Sequence, residues 1–76
     1  MEKRVRLRLD KYLDGHNISR YSLSKASGIG FPIIDRYYKN RVVRYDSDVL
    51  SRIITVLDCN IQDIFEIYYE EEETHS

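Results

Sequence analysis

The chain reads as an all-α domain, a compact bundle of five helices, and three observations lead there. Apolar residues recur at helical spacing in several windows, most plainly Leu50, Ile53, Ile54 and Leu57 at i, i+3, i+4 and i+7. Residues suited to helix caps stand just ahead of such windows (Ser19, Asp46 or Ser47, Asn60), and Gly28 stands at the end of one. Finally, 76 residues provide one domain with one core, which leaves no space for a roomy enzyme cleft beside it.

Taken in order, Val5, Leu9, Tyr12 and Leu13 fall at i, i+4, i+7 and i+8 and line a first helix over residues 3–13, closed by Asp14 and Gly15. Ser19 offers its hydroxyl to an orphaned backbone N–H at the start of a second helix over 20–27. Gly28 closes that helix in the left-handed conformation, which costs glycine little. Ile29 then turns into the core, and Gly30 leads to Phe31 and Pro32 at the head of a third helix reaching Lys39. Proline is tolerated there because first-turn N–H groups have no helical partner. Residues 40–46 read as a loop, although Val42, Val43 and Tyr45 also suit a short strand. The fourth helix carries the Leu50 to Leu57 stripe. Ile61, Ile64, Phe65 and Tyr68 repeat at the same spacing in a fifth, while the β-prone run Ile64 to Tyr69 keeps a terminal strand open as the alternative. The domain is expected over 1–69. Residues 70–76, four glutamates followed by Thr74, His75 and Ser76, have nothing to bury and are expected to form a disordered acidic tail.

The net charge of −1 hides an asymmetry. All 12 cationic side chains lie at or before Arg52, opposed there by six acids, so residues 1–52 carry +6; the seven remaining acids make the rest −7. A basic body with an acidic end suits a phosphate-binding surface, although solvated helix faces account for the charge alone equally well. The helical pair from Ile18 to Asn40, bent at Gly28, has the outline of a helix-turn-helix, in which one helix braces another for entry into a duplex major groove.

Other chemistries find no support. His16, Cys59 and His75 are scattered without metal-ligand spacing, so no metal and no cofactor are expected. Gly28 and Gly30 are not followed by the lysine and hydroxyl of a phosphate loop, and no serine sits in a nucleophile elbow. The chain is therefore not expected to be an enzyme, and no small-molecule substrate is evident. Neither a membrane-length apolar run nor a signal peptide is visible, and the single Cys59 fits a reducing compartment, so the expected location is cytoplasmic.

The strings LSKASGIGFPIIDRYYKN and VLSRIITVLDCNIQDIFEI resemble the phage-repressor or Cro-like helix-turn-helix family, the xenobiotic-response-element class, across about residues 5–67. The resemblance implies a lambda-repressor-like DNA-binding domain of bacterial, phage or mobile-element origin, acting at the nucleoid as a sequence-specific transcriptional regulator, a repressor in the first instance. It makes the third helix the one that reads bases, with Phe31, Pro32, Asp35 and Arg36 toward the groove. Arg36 is suited to bidentate contact with guanine, and Asp35 to a cytosine amino group or to orienting an arginine. Phe31 and Pro32 stand where polar residues are usual and suit thymine methyl groups, and Gly30 stands where a hydroxyl cap is usual. Ser19, Arg20 and Tyr21, with Lys39, Asn40, Arg41 and Arg44, are the expected phosphate contacts. Ile34, Tyr37 and Leu23 are expected in the core. The partners expected are double-stranded DNA and a second copy, since one small domain rarely reads an operator alone, with Phe65, Ile67, Tyr68 and Tyr69 as the dimer surface. The competing reading is a protein-interaction module, an adaptor, antirepressor or antitoxin-like component, docking through Phe31, Pro32, Val42 and Val43.

Overall fold

Between Leu7 and Leu9 the backbone passes from extended to helical, and that joint organises the molecule. The computed structural model describes residues 1–70, in the order β1 (Glu2–Leu7), α1 (Leu9–Gly15), α2 (Arg20–Ser27), α3 (Phe31–Tyr38), α4 (Ser47–Leu57), α5 (Ile61–Ile64) and β2 (Phe65–Glu70). β1 and β2 form an antiparallel two-stranded sheet in which Leu7 faces Phe65, Val5 faces Ile67 and Lys3 faces Tyr69.

The five helices are present, but the all-α expectation is wrong, and the two errors have one cause. Val5, Leu9, Tyr12 and Leu13 satisfy helical spacing, yet Lys3, Val5 and Leu7 also alternate with Arg4 and Arg6 at period two. Pairing with the aromatic and β-branched run Phe65 to Tyr69 selects the second pattern at both ends of the chain. The first helix consequently starts at Leu9 rather than Lys3, and the fifth stops at Ile64. Glu70 ends β2 opposite Glu2; the rest of the expected acidic tail, residues 71–76, lies outside the described residues.

Arg8 makes the joint. Its N–H donates to the Ile64 carbonyl at 2.8 Å, extending the ladder by one bond, while its own carbonyl accepts from Tyr12 N–H at 3.1 Å and begins α1. The guanidinium donates to the Asp63 carbonyl at 2.8 Å, which fastens α5 to the same point.

Helix endings follow one scheme. Asn17, Asn40 and Asp58 take left-handed φ values of 58°, 57° and 52°, and Gly28 takes 75°. After the first three, the next N–H reaches back to satisfy a helical carbonyl: Ile18 to Leu13 at 2.8 Å, Arg41 to Arg36 at 2.9 Å and Cys59 to Ile54 at 3.3 Å. Ile18, Ile29 and Cys59, each placed just past such a residue, pack against or within the core. Helix starts are equally local: Ser19 Oγ accepts from Ser22 N–H, and the Asp46 carboxylate accepts from the N–H groups of Asp48 and Val49.

The core consists of Leu7, Leu9, Leu13, Leu23, Ile29, Ile34, Tyr37, Ile53 and Ile64, with no buried polar side chain left unpartnered among the described residues. Tyr37 is its one member with a polar tip, and the hydroxyl accepts from Asp46 N–H at 3.0 Å, so the third helix fixes the start of the fourth. Residues 40–46 form a loop, held by Tyr45 packing edge-on against Phe65 with ring centroids 5.1 Å apart. None of the described helices is long and apolar enough to cross a membrane. Replacing Tyr37 by Phe keeps the packing but leaves the Asp46 N–H without its partner; it is expected to lower unfolding free energy by about 1 kcal/mol in a urea titration, whereas Ile34→Ala, which opens a cavity, lowers it by about 2–5 kcal/mol.

Candidate nucleic-acid interface

The α2–Gly28–α3 pair is fixed from below by Leu23, Ile29, Ile34 and Tyr37, all buried. Helical geometry then turns Phe31, Pro32 and Arg36 outward, and all three are exposed. Gly28 meets no backbone in its surroundings, so its left-handed φ, rather than crowding, is what favours glycine there.

Asp35 is not a free acceptor. One carboxylate oxygen takes the Arg20 guanidinium at 2.5 Å and the other lies 3.1 Å from Lys39 Nζ. Arg20 lies over the Tyr38 ring, 4.5 Å from its centroid, and the Tyr38 hydroxyl donates to the Asp14 carboxylate at 2.9 Å. The result is a polar latch, Lys39–Asp35–Arg20–Tyr38–Asp14, running from the end of α3 across the start of α2 to the end of α1. The hydrogen bonds from Lys39 and then Arg20 hold the Asp35 carboxyl below its ordinary value, against the opposing effect of partial desolvation. The bond to Asp14 pushes the Tyr38 hydroxyl upward, because a neighbouring carboxylate disfavours the phenolate.

The latch sorts the basic residues into two groups. Arg20 and Lys39 are engaged by Asp35, and Arg4, Arg6, Arg8, Lys11 and Arg52 also sit in ion pairs. Among the described residues Lys3, Lys25, Arg36, Arg41 and Arg44 enter no ion pair, and the three arginines line, together with Asp46, one open cleft of about 540 Å³ between the outer face of α3 and the 40–46 loop. Ile33, Val42 and Val43 supply its apolar wall, with Val43 93% exposed.

The remaining expected site residues fall as follows. Ser19 caps α2, and Tyr21 beside it is exposed with Lys25 over its ring at 5.3 Å. Asn40 is tied to the scaffold, its Oδ1 accepting from Leu7 N–H at 3.2 Å, which leaves its amide N–H groups for any outside partner. Phe65 is half-buried against Tyr45, Tyr68 lies beneath Arg6, and only Ile67 and Tyr69 of that group are exposed.

Residues 8–70 match the Cro/C1-type HTH DNA-binding domain. The chain belongs to that family. Among solved structures it is similar to the crystal structure of the transcriptional regulator VanUg (Form II), with a TM-score of 0.69, 27% sequence identity and 92% of each chain covered. No curated protein matches.

For a Cro/C1-type domain the informative additions are contacts that sequence reasoning missed. Tyr38 and Asp14 carried no local signal for one another, and neither did Arg20 and Asp35; a carboxylate in the third helix three to four residues from a lysine was the one visible hint, since Asp35 and Lys39 are i, i+4 neighbours. Because the folded-state value of Asp35 is depressed below the ordinary 3.8, the latch contributes fully above that pH and is lost as pH falls through the lower folded value. Asp35→Asn removes that contribution at neutral pH. Thermal melts followed downward past the ordinary aspartate value are therefore expected to show wild type and D35N converging; a constant gap between them would remove Asp35 from the pH dependence.

Proposed function

We propose that this protein is a sequence-specific double-stranded-DNA-binding transcriptional regulator that acts as a repressor, by laying α3 in the major groove and occluding a promoter. The observation that carries the reading is the unpaired Arg36 on the exposed face of α3, flanked by the equally unpaired Arg41 and Arg44. Membership of a DNA-binding family and likeness to a protein described as a transcriptional regulator support regulation through DNA.

In this reading Arg36 donates two hydrogen bonds to guanine, worth about 1–3 kcal/mol of discrimination, and Phe31 and Pro32 pack on thymine methyl groups. Asp35, with both oxygens engaged, takes the orienting role rather than accepting from cytosine. Ser19, Arg20 and Tyr21 meet phosphates on one side of the groove, and Lys39, Asn40, Arg41 and Arg44 on the other; these contacts position the domain without selecting sequence. Two copies, bound at half-sites about one helical turn apart, supply the interface area that a specific operator requires.

Binding to duplex DNA should weaken with salt at a log–log slope of about −0.9 per phosphate neutralised. Arg41→Ala should lower affinity for all sequences and reduce the slope by about 1, whereas Arg36→Ala should relax preference at one base position when sites are selected from random duplexes. Failure to shift any duplex at low salt would overturn the DNA reading and favour the protein-interaction module.

A further inference from the structure

The β1–β2 ribbon has two unlike faces. One is polar and closed on itself: Arg4 lies 3.4 Å from Glu70, and Arg6 pairs with Glu66 while its guanidinium covers the Tyr68 ring at 4.5 Å. The other presents Lys3, Val5 and Leu7 opposite Tyr69, Ile67 and Phe65. Its inner end is packed on the core, with Leu7 4% exposed, but the outer end is open, with Val5 57%, Ile67 62% and Tyr69 58% exposed. Antiparallel sheets alternate apolar and polar residues when one face is covered, and a bare two-stranded ribbon is marginal in water.

We propose that this outer apolar face docks a second copy of the chain, face to face about a twofold axis through the Val5–Ile67 pair. Its charges favour that occupant. The ribbon's own charges balance, Lys3, Arg4 and Arg6 against Glu2, Glu66 and Glu70, so it presents no net cationic surface to draw in a phosphate backbone and no charge excess of its own to set against an identical ribbon. Residues 71–76, which follow β2 in the sequence, are unsuited to the role, because they contain no apolar side chain. Lys3 is the only charged residue on the face. With the two ribbons antiparallel about the axis, the two copies' Lys3 side chains fall at opposite ends, roughly 13 Å apart by strand rise and so beyond a Debye length at physiological salt. An isologous contact needs such self-complementarity, and the patch supplies it.

The assignment divides the residues expected at a dimer surface: Ile67 and Tyr69 belong to the contact, joined by Val5 of β1, while Phe65 belongs to the core and Tyr68 to the opposite face. The demand for a second copy rests on the proposed DNA reading. The patch is small beside a standard protein interface, so the dimer is expected to be weak in free solution.

Sedimentation equilibrium of the full chain up to millimolar concentration tests it. Wild type should show a monomer–dimer equilibrium, with concentration-dependent amide shifts at Lys3, Val5, Ile67 and Tyr69. Ile67→Asp, and Tyr69→Asp at the more solvated tip, should each raise the dimer dissociation constant by at least about tenfold, while Tyr68→Ala on the other face should change it less than about threefold. A wild-type chain that stays monomeric throughout, or a dimer whose shifts map elsewhere and which survives both aspartate variants, overturns the proposal. Low-salt binding to an unrelated duplex, run on the same samples, scores the DNA reading separately. Both aspartate variants should retain that binding, and its loss in all samples, wild type included, would sink the DNA reading while leaving a mapped dimer intact.

Discussion

Much of this molecule turns on the buried phenol of Tyr37. Its ring, 3% exposed, seats α3 on the core beside Ile34, and its hydroxyl accepts the N–H of Asp46, the residue whose carboxylate caps α4. Tyr45, in the same loop, carries the contact on to Phe65 at the root of the ribbon. A hydroxyl held in a packed interior has few alternative partners, so the angle of α3, the start of α4 and the path of the 40–46 loop are set together. A helix that reads a groove needs that kind of determinate seating, because its exposed side chains can be placed no better than its buried ones.

Electrostatics is organised by position rather than by total. A chain with a net charge of −1 nevertheless has a cleft lined by three arginines and a single carboxylate, Asp46, which caps α4, while other carboxylates are committed elsewhere: Asp35 to Arg20 and Lys39, Glu66 to Arg6, Arg8 and Lys11. Exposed pairs of this sort add little to stability individually. Their larger effect here is to hold Arg20 and Lys39 in place about Asp35, and to tie α1, α2 and α3 together along one edge.

The ribbon answers a problem of size. A domain this small buries a limited share of its surface, and its two ends would otherwise fray. Pairing β1 with β2 ties both ends together, and the Arg8 joint carries the sheet's last hydrogen bond directly into the first helical turn. β1 lies ahead of residues 8–70, the part matched by the family model, and contributes Val5 to the apolar outer face.

What the sequence alone determined was local. The α2 and α4 helices, the Ser19 cap, the glycine closure at position 28, the inward turn of Ile29 and the burial of Leu23, Ile34 and Tyr37 all depend on residues within a turn or two of one another, where spacing and capping chemistry act directly. The outward place of Arg36 was implied by the family resemblance, and its side chain is exposed. The ribbon was not legible locally. Residues 3–7 suit a helix and a strand about equally, and the partner that decides the matter lies across the whole chain, as the Arg6–Glu66 pair 60 residues apart makes plain. Tertiary structure likewise decided that Asp35 faces Arg20, that Tyr38 reaches Asp14, and that Tyr68 and Tyr69 point to opposite sides. Each depends on where the chain returns to itself, and local propensity carries no term for that.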